Sequence, residues 1–234
     1  KNFKNECVCP DGYIEDAEGI CVKKSCYEIN SQITNTDFKA KINELNKLTN
    51  KKEESGYVQN KDGTFTLLPV VNGGHSLDLE GINYSDINGF IHTHLNDFPT
   101  GKIVDGLPEI NEIYRIFSPA DVLAFLAIAK RTDDNSNVYA TVITSSGDYT
   151  LKFTGNKNNI TGLKEAKDYK EDYIAFMKKY KSDNERGFLH FLKDCIKVEG
   201  IELYKLHKPL FSSEIEIQNK TLDSKGKVEK TECK

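Results

Sequence analysis

Tryptophan is absent from this 234-residue chain and methionine occurs once, at Met177, which leaves phenylalanine and tyrosine as its large aromatic residues. No apolar run approaches the ~20 residues that a membrane-spanning helix requires, so no stretch reads as a helical membrane span. A dominant charge of either sign is also missing. The net charge is -4 and the lysines are interleaved with acids throughout, which argues against a nucleic-acid partner. Internal repeats and low-complexity tracts are lacking, which excludes a solenoid or an array. What remains is an ordinary, rather polar soluble composition, with 38% hydrophobic residues and a mean hydropathy of -0.55. This length suffices for one substantial core plus an appendage, or for two small domains. Beginning at Lys1, the chain reads as processed or trimmed, with any signal peptide out of view.

Cysteines are few but unevenly placed. Cys7, Cys9, Cys21 and Cys26 crowd the start, while Cys195 and Cys233 lie near the end. A segment this short and this polar cannot build a core, so cross-links are the expected way to order it. The rival reading is a zinc knuckle, but a C-x-C pair followed by an eleven-residue gap fits zinc-ribbon spacing poorly. The run Cys7-Val-Cys9-Pro-Asp-Gly-Tyr13, with the next cysteine at Cys21, resembles the second half of an EGF-like module. Such cysteines are joined by disulfides, and the resemblance favours a local Cys9–Cys21 bridge. A Cys195–Cys233 pair would then pin the tail. Disulfides imply an extracytoplasmic protein, whether secreted, periplasmic or surface-exposed. The composition and half-module look like those of an exported bacterial protein.

Along the chain, residues 1–28 form the Cys-rich segment, 36–211 the main domain and 212–234 a C-terminal β tail. Thr36 or Asp37 caps a helix running to about Leu48. A hairpin follows from Gly56, turning at Asn60-Lys61-Asp62-Gly63. Ile87 leads into a short buried strand ending at His94, and residues 95–117 read as an insertion punctuated by Pro99, Gly101, Gly106 and Pro108. A helix starts after Ser118 and ends near Lys130-Arg131. A second hairpin spans Val138 to Phe153, helices cover about 163–182 and 184–196, and a strand covers Ile201–Leu206. The tail alternates around a turn at Asp223–Gly226. This order of elements describes one α/β or α+β domain.

The residues that carry chemistry are few. On a strand, residues i and i+2 share a face, so His92 and His94 present two imidazoles side by side, able to chelate one metal ion. The alternative is a pair of hydrogen-bonded histidines at a strand end. Ser118-Pro119-Ala120-Asp121 is a good helix start by capping chemistry alone. The same geometry aims Asp121 as a third ligand and Ser118 as a donor to a developing oxyanion, and the two readings are compatible. A hydrolytic site needs a base, and Glu53 and Glu54 precede the first hairpin, where they are either positioned or part of a solvated charge run. His75 lies in a Gly-rich loop, where it either lines the cleft or is simply exposed, His190 within a helix reads as a surface or packing residue, and His207 after a strand has no metal-spaced partner. Tyr169, Tyr173, Phe176 and Tyr180 have helical spacing and read as a core face.

Glutamate before a glycine that opens a strand, His-x-His at a strand end, then Ser-x-x-Asp opening a helix, is similar to the JAMM (MPN+) metallopeptidases. The resemblance spans roughly residues 50–155. It implies a cytidine-deaminase-like mixed sheet flanked by helices, with Zn2+ as cofactor. His92, His94 and Asp121 would be the metal ligands and Glu53 the base, with Glu54 one register away, and Ser118 would stabilise the transition state. It further implies a protein or peptide substrate cleaved at a peptide or isopeptide bond. Two other functions compete: a non-catalytic extracellular binding domain on the same fold, and a zinc amidase acting on a non-protein amide. Two departures stand out. The 23 residues between His94 and Ser118 are longer than the family's loop, which bears on substrate choice. Leu95 stands where the family often has proline.

Overall fold

Strand-forming runs separated by polar turns, and two sets of amphipathic helices, assemble around one mixed sheet. The computed structural model describes residues 8–71, 76–77, 79, 81–207 and 215–233. A small hairpin, β1 (Tyr13–Glu15) and β2 (Cys21–Lys23), opens the described chain. α1 (Lys24–Thr34) and α2 (Thr36–Asn46) follow at once. The α2 cap is Asn35, one residue before the expected position: its side chain accepts from the backbone N–H groups of Asp37 and Phe38, both at 3.0 Å.

The first hairpin forms as its turn residues dictate, with β3 (Gly56–Asn60) paired to β4 (Phe65–Leu67). Short β5 (Val70–Val71) and β6 (Ser76–Leu77) pair with each other. β7 (Ile87–Thr93) then lies between β3 on one side and β10 (Tyr139–Ile143) on the other. The hairpin of β10 and β11 (Asp148–Phe153) continues through β12 (Ile201–His207), β13 (Glu216–Leu222) and β14 (Val228–Glu232). The order across the eight-stranded sheet is β14-β13-β12-β11-β10-β7-β3-β4. Only β7 and β10 run parallel; the other neighbours are antiparallel. A parallel pair needs a crossover, and α3 (Pro119–Arg131) supplies it, packing on β7, β10 and β11.

Both faces of the sheet are covered, which is why β7 and β10 read as nearly continuous apolar runs. On one face α3, α4 (Lys170–Lys179) and α5 (Asn184–Phe191) enclose a core including Phe90, Phe117, Phe125, Leu151, Met177 and Phe188. On the other, α1 and α2 bury Ile29, Ile33, Phe38, Ile42 and Leu45 against Ile91, Tyr139 and Tyr204. The helix expected over 163–182 begins later, with a 3-10 turn at Ala166–Tyr169 before α4, and α5 runs on through a π-helical segment at Leu192–Ile196.

The ends of the chain differ from expectation in two respects. Residues 24–34, of which 24–28 were expected in the Cys-rich segment, are the helix α1, whose Cys26, Ile29 and Ile33 fall on one buried face. Cys9–Cys21 is formed as expected, but Cys233 bonds to Cys26 and Cys195 is free. The sheet itself decides this. Cys195 packs on the α3–α5 face and Cys233 on the α1–α2 face, so the expected partners are on opposite sides. The C-terminal tail is pinned, and it supplies β13 and β14 to the main sheet. Cys7, His75 and the first residues of the tail, 212–214, lie outside the described residues.

Candidate metal centre

A parallel pair joined by a crossover helix places the carboxyl ends of its strands and the amino terminus of that helix at the same edge, where open α/β sheets bind ligands. Here that edge gathers every element of interest. β7 ends at Thr93, and His94 continues the ladder by donating its N–H to the Ile143 carbonyl at 3.0 Å. β3 runs antiparallel to β7, so its start lies beside the end of β7. Gly56 is opposite His92, and the Ser55 N–H donates to the Thr93 hydroxyl at 2.9 Å. α3 begins at Pro119 with Ser118 as its cap.

The two histidine side chains share a face as their spacing requires, with ring centroids 5.0 Å apart. Both residues are buried. Asp121 spans them: its Oδ1 lies 3.2 Å from His92 Nε2 and its Oδ2 lies 3.3 Å from His94 Nε2. These are close but angled approaches. Neither ring nitrogen of His92 has a hydrogen-bond partner among the described residues, although both are shielded from solvent. Buried polar atoms without partners are rare in native folds, and the arrangement suits side chains directed at a shared ion between them. His94 is oriented from behind by the Tyr114 carbonyl, 3.1 Å from Nδ1, which leaves Nε2 free to ligate. Among the described residues, His92, His94 and Asp121 form a group whose donor atoms all lie within 4.8 Å of one another and could hold a metal ion.

Asp121 and Ser118 also make the helix cap that the sequence predicts. The Ser118 hydroxyl accepts from the Asp121 N–H at 3.3 Å, and Asp121 Oδ2 accepts from the Ser118 N–H at 2.7 Å. Capping therefore fixes the carboxylate in place and leaves the Ser118 O–H free to donate.

The electrostatics are those of a cation site. Burial alone would make the His94 imidazolium less stable, but Asp121 and Glu54 outweigh it and raise the pKa to about 9. Burial likewise disfavours the Asp121 carboxylate, yet the facing histidines hold its pKa well below the usual carboxylate range. Without metal, His94 holds a proton beside Asp121, where a metal ion could sit.

These residues line a cavity of about 300 Å³ whose wall also includes Glu54, Ser118, Leu68, Phe90, Tyr114 and Tyr173. Glu54 is half-buried in this wall. Its pKa is raised, mainly by burial and against the charges of His94 and His92. Glu53, the base expected from the resemblance, is exposed and is not part of the wall. The register next to β3 thus places Glu54, not Glu53, at the cavity.

The 95–117 segment is a two-stranded hairpin, β8 (Phe98–Val104) and β9 (Leu107–Asn111). Its base is tied down by Asp97, which accepts from the Ile113 N–H at 2.8 Å, and by Asn96, bonded to Asn50 and Ser145. Returning from the hairpin, the chain lays Glu112, Ile113 and Tyr114 along the cavity. Sequence reasoning missed Tyr114, whose contribution is a backbone carbonyl, and it read Tyr173 as core alone. No residue pattern marks either one. His190 is accounted for by packing and polar contacts, stacked on Tyr180 at 4.9 Å with Nε2 3.1 Å from the Gly226 carbonyl. His207 closes β12 at an exposed position.

Against protein-family models, curated proteins and solved structures, this chain has no match.

Proposed function

We propose that this protein is a zinc-dependent hydrolase of the JAMM type, cleaving a peptide or isopeptide bond outside the cytoplasm. The observation that carries the reading is one cavity that brings together His92, His94, Asp121, Glu54 and Ser118 from three separated stretches of chain. Two imidazoles and a carboxylate are a donor set of catalytic zinc sites, which keep one position open. When bound, zinc would polarise a carbonyl and bring the pKa of water down toward ~7.

The chain's own residues do the rest. Glu54 accepts the proton of the attacking water and delivers it to the leaving amine. Burial favours this role by raising its pKa above the ordinary carboxylate value. Ser118, whose oxygen already accepts from the Asp121 N–H, donates its O–H to the oxygen that gains charge. The Tyr114 carbonyl fixes the ring of His94, and Leu68 and Phe90 keep one wall apolar. Cys9–Cys21 and Cys26–Cys233 are compatible with an oxidising compartment.

The test is elemental analysis followed by cleavage assays on a mixed peptide library. About one zinc per chain is expected, with cleavage that falls at least ~100-fold in Glu54→Gln while zinc content holds. Glu53→Gln is expected to remain active. Protein that takes up no zinc when offered an excess would sink the metal reading and favour a binding domain. Zinc-loaded protein that cleaves simple N-acyl amides but no peptide would point to an amidase.

A further inference from the structure

The cavity wall contains a polar group that no other described residue satisfies. Tyr173, on α4, is 5% exposed, and its hydroxyl oxygen is shielded from solvent with no hydrogen-bond partner. Its ring is held edge-on against Tyr114 at 5.6 Å and Phe191 at 5.2 Å, which fixes where the oxygen sits. A buried hydroxyl without an acceptor pays for its desolvation with nothing in return, so an oxygen that arrives with a ligand would relieve a standing penalty. Tyr173 borders the same cavity as His92, His94 and Asp121. A phenol, with an ordinary pKa of about 10, is a hydrogen-bond donor at neutral pH.

The acceptor that fits is an oxygen carrying partial or full negative charge. A neutral phenol donates to such an oxygen more strongly than to a ground-state carbonyl. We propose that Tyr173 is a catalytic residue that donates a hydrogen bond to the scissile carbonyl oxygen of the peptide substrate as that oxygen becomes anionic. This rests on the hydrolase reading above. Ser118 and Tyr173 then supply two donors to one cavity from separate elements, the start of α3 and the middle of α4. The ring of Tyr173 serves the core, and its hydroxyl serves the substrate.

The experiment compares zinc-loaded wild type with Tyr173→Phe, which keeps the ring and removes only the hydroxyl. Methylphosphonate, a small tetrahedral oxyanion, is titrated into each by calorimetry, and peptide cleavage is measured in parallel. Binding of the anion is expected to weaken about tenfold or more, and kcat to fall about 100-fold with KM little changed. Zinc content should stay the same, and Tm should stay level or rise because a buried unpaired group has gone. Equal anion affinity and equal kcat in the two proteins would overturn the assignment of Tyr173 while leaving the hydrolase intact. A variant that loses zinc or melts lower would mark a structural hydroxyl and overturn it too. Zinc-loaded wild type that cleaves no peptide would overturn the hydrolase reading, and this role with it.

Discussion

With Nδ1 held by the Tyr114 carbonyl, His94 has only Nε2 to offer, and in the metal-free protein that nitrogen competes for a proton. Its pKa of about 9 exceeds the ordinary value of 6.5, so the proton stabilises the metal-free fold. That stabilisation is fully present below the unfolded value and is lost as pH rises through the folded one. A metal ion must displace the same proton. Zinc affinity is therefore expected to climb by up to about tenfold per pH unit between roughly 6.5 and 9, then level off. Competition with a chromophoric chelator across that range measures it, and a flat profile would show that His94 gives up no proton. The melting temperature of the metal-free protein should fall over the same window. The residues of the His-x-His pair were readable because a strand has a strict period of two. The glutamate was not, since Lys51–Glu53 form an irregular bend, and only the pairing of β3 with β7 decides which of two adjacent acids turns inward.

Among the elements, the parallel contact of β7 with β10 is the one the site depends on most. Gly89 sits opposite Tyr139 in that register, and a Cβ there would lie 2.1 Å from the Tyr139 carbonyl oxygen. No rotamer change relieves a clash with backbone, so Gly89→Ala must push the two strands apart. The expected cost is at least the ~1–3 kcal/mol typical of overpacking, together with weaker zinc binding because His92 lies three residues further along. Urea unfolding of the metal-free variant checks this, and a loss below about 0.5 kcal/mol would place it with neutral surface changes. The hairpins and α3 were legible because their turns and cap carry local chemistry. The helix α1 was not, because its cap position, Lys23, makes no side-chain capping bond and cysteines dominate the segment. β8 and β9 lack the alternation of a half-buried strand, since Ile103, Val104 and Leu107 are all exposed.

For the whole molecule, Cys26–Cys233 spans a sequence separation of 207 residues and joins α1 to the end of the last strand. Closing so long a loop restricts the unfolded chain far more than Cys9–Cys21 does, with its separation of 12. Replacing both Cys26 and Cys233 by serine should cost about 2–4 kcal/mol in denaturant titrations. Losing Cys9–Cys21 should mainly loosen β1 and β2, and equal global effects from the two pairs would refute this ranking. The local Cys9–Cys21 pair was legible in the sequence, but the partner of Cys233 was not. That partner depends on which face of the sheet each cysteine reaches, and this is set by strands far away in the chain.

The same long bridge makes the covalent structure from Cys26 to Cys233 a closed ring. At the far side of that ring is the tip of the β8–β9 hairpin, Asp105-Gly106, where both residues have positive φ and are exposed. A protease cut at this tip would leave His92 and His94 on one fragment and Asp121 on the other. The ring keeps the fragments tethered, so the nicked molecule would carry its ligand set on two polypeptides and separate only on reduction.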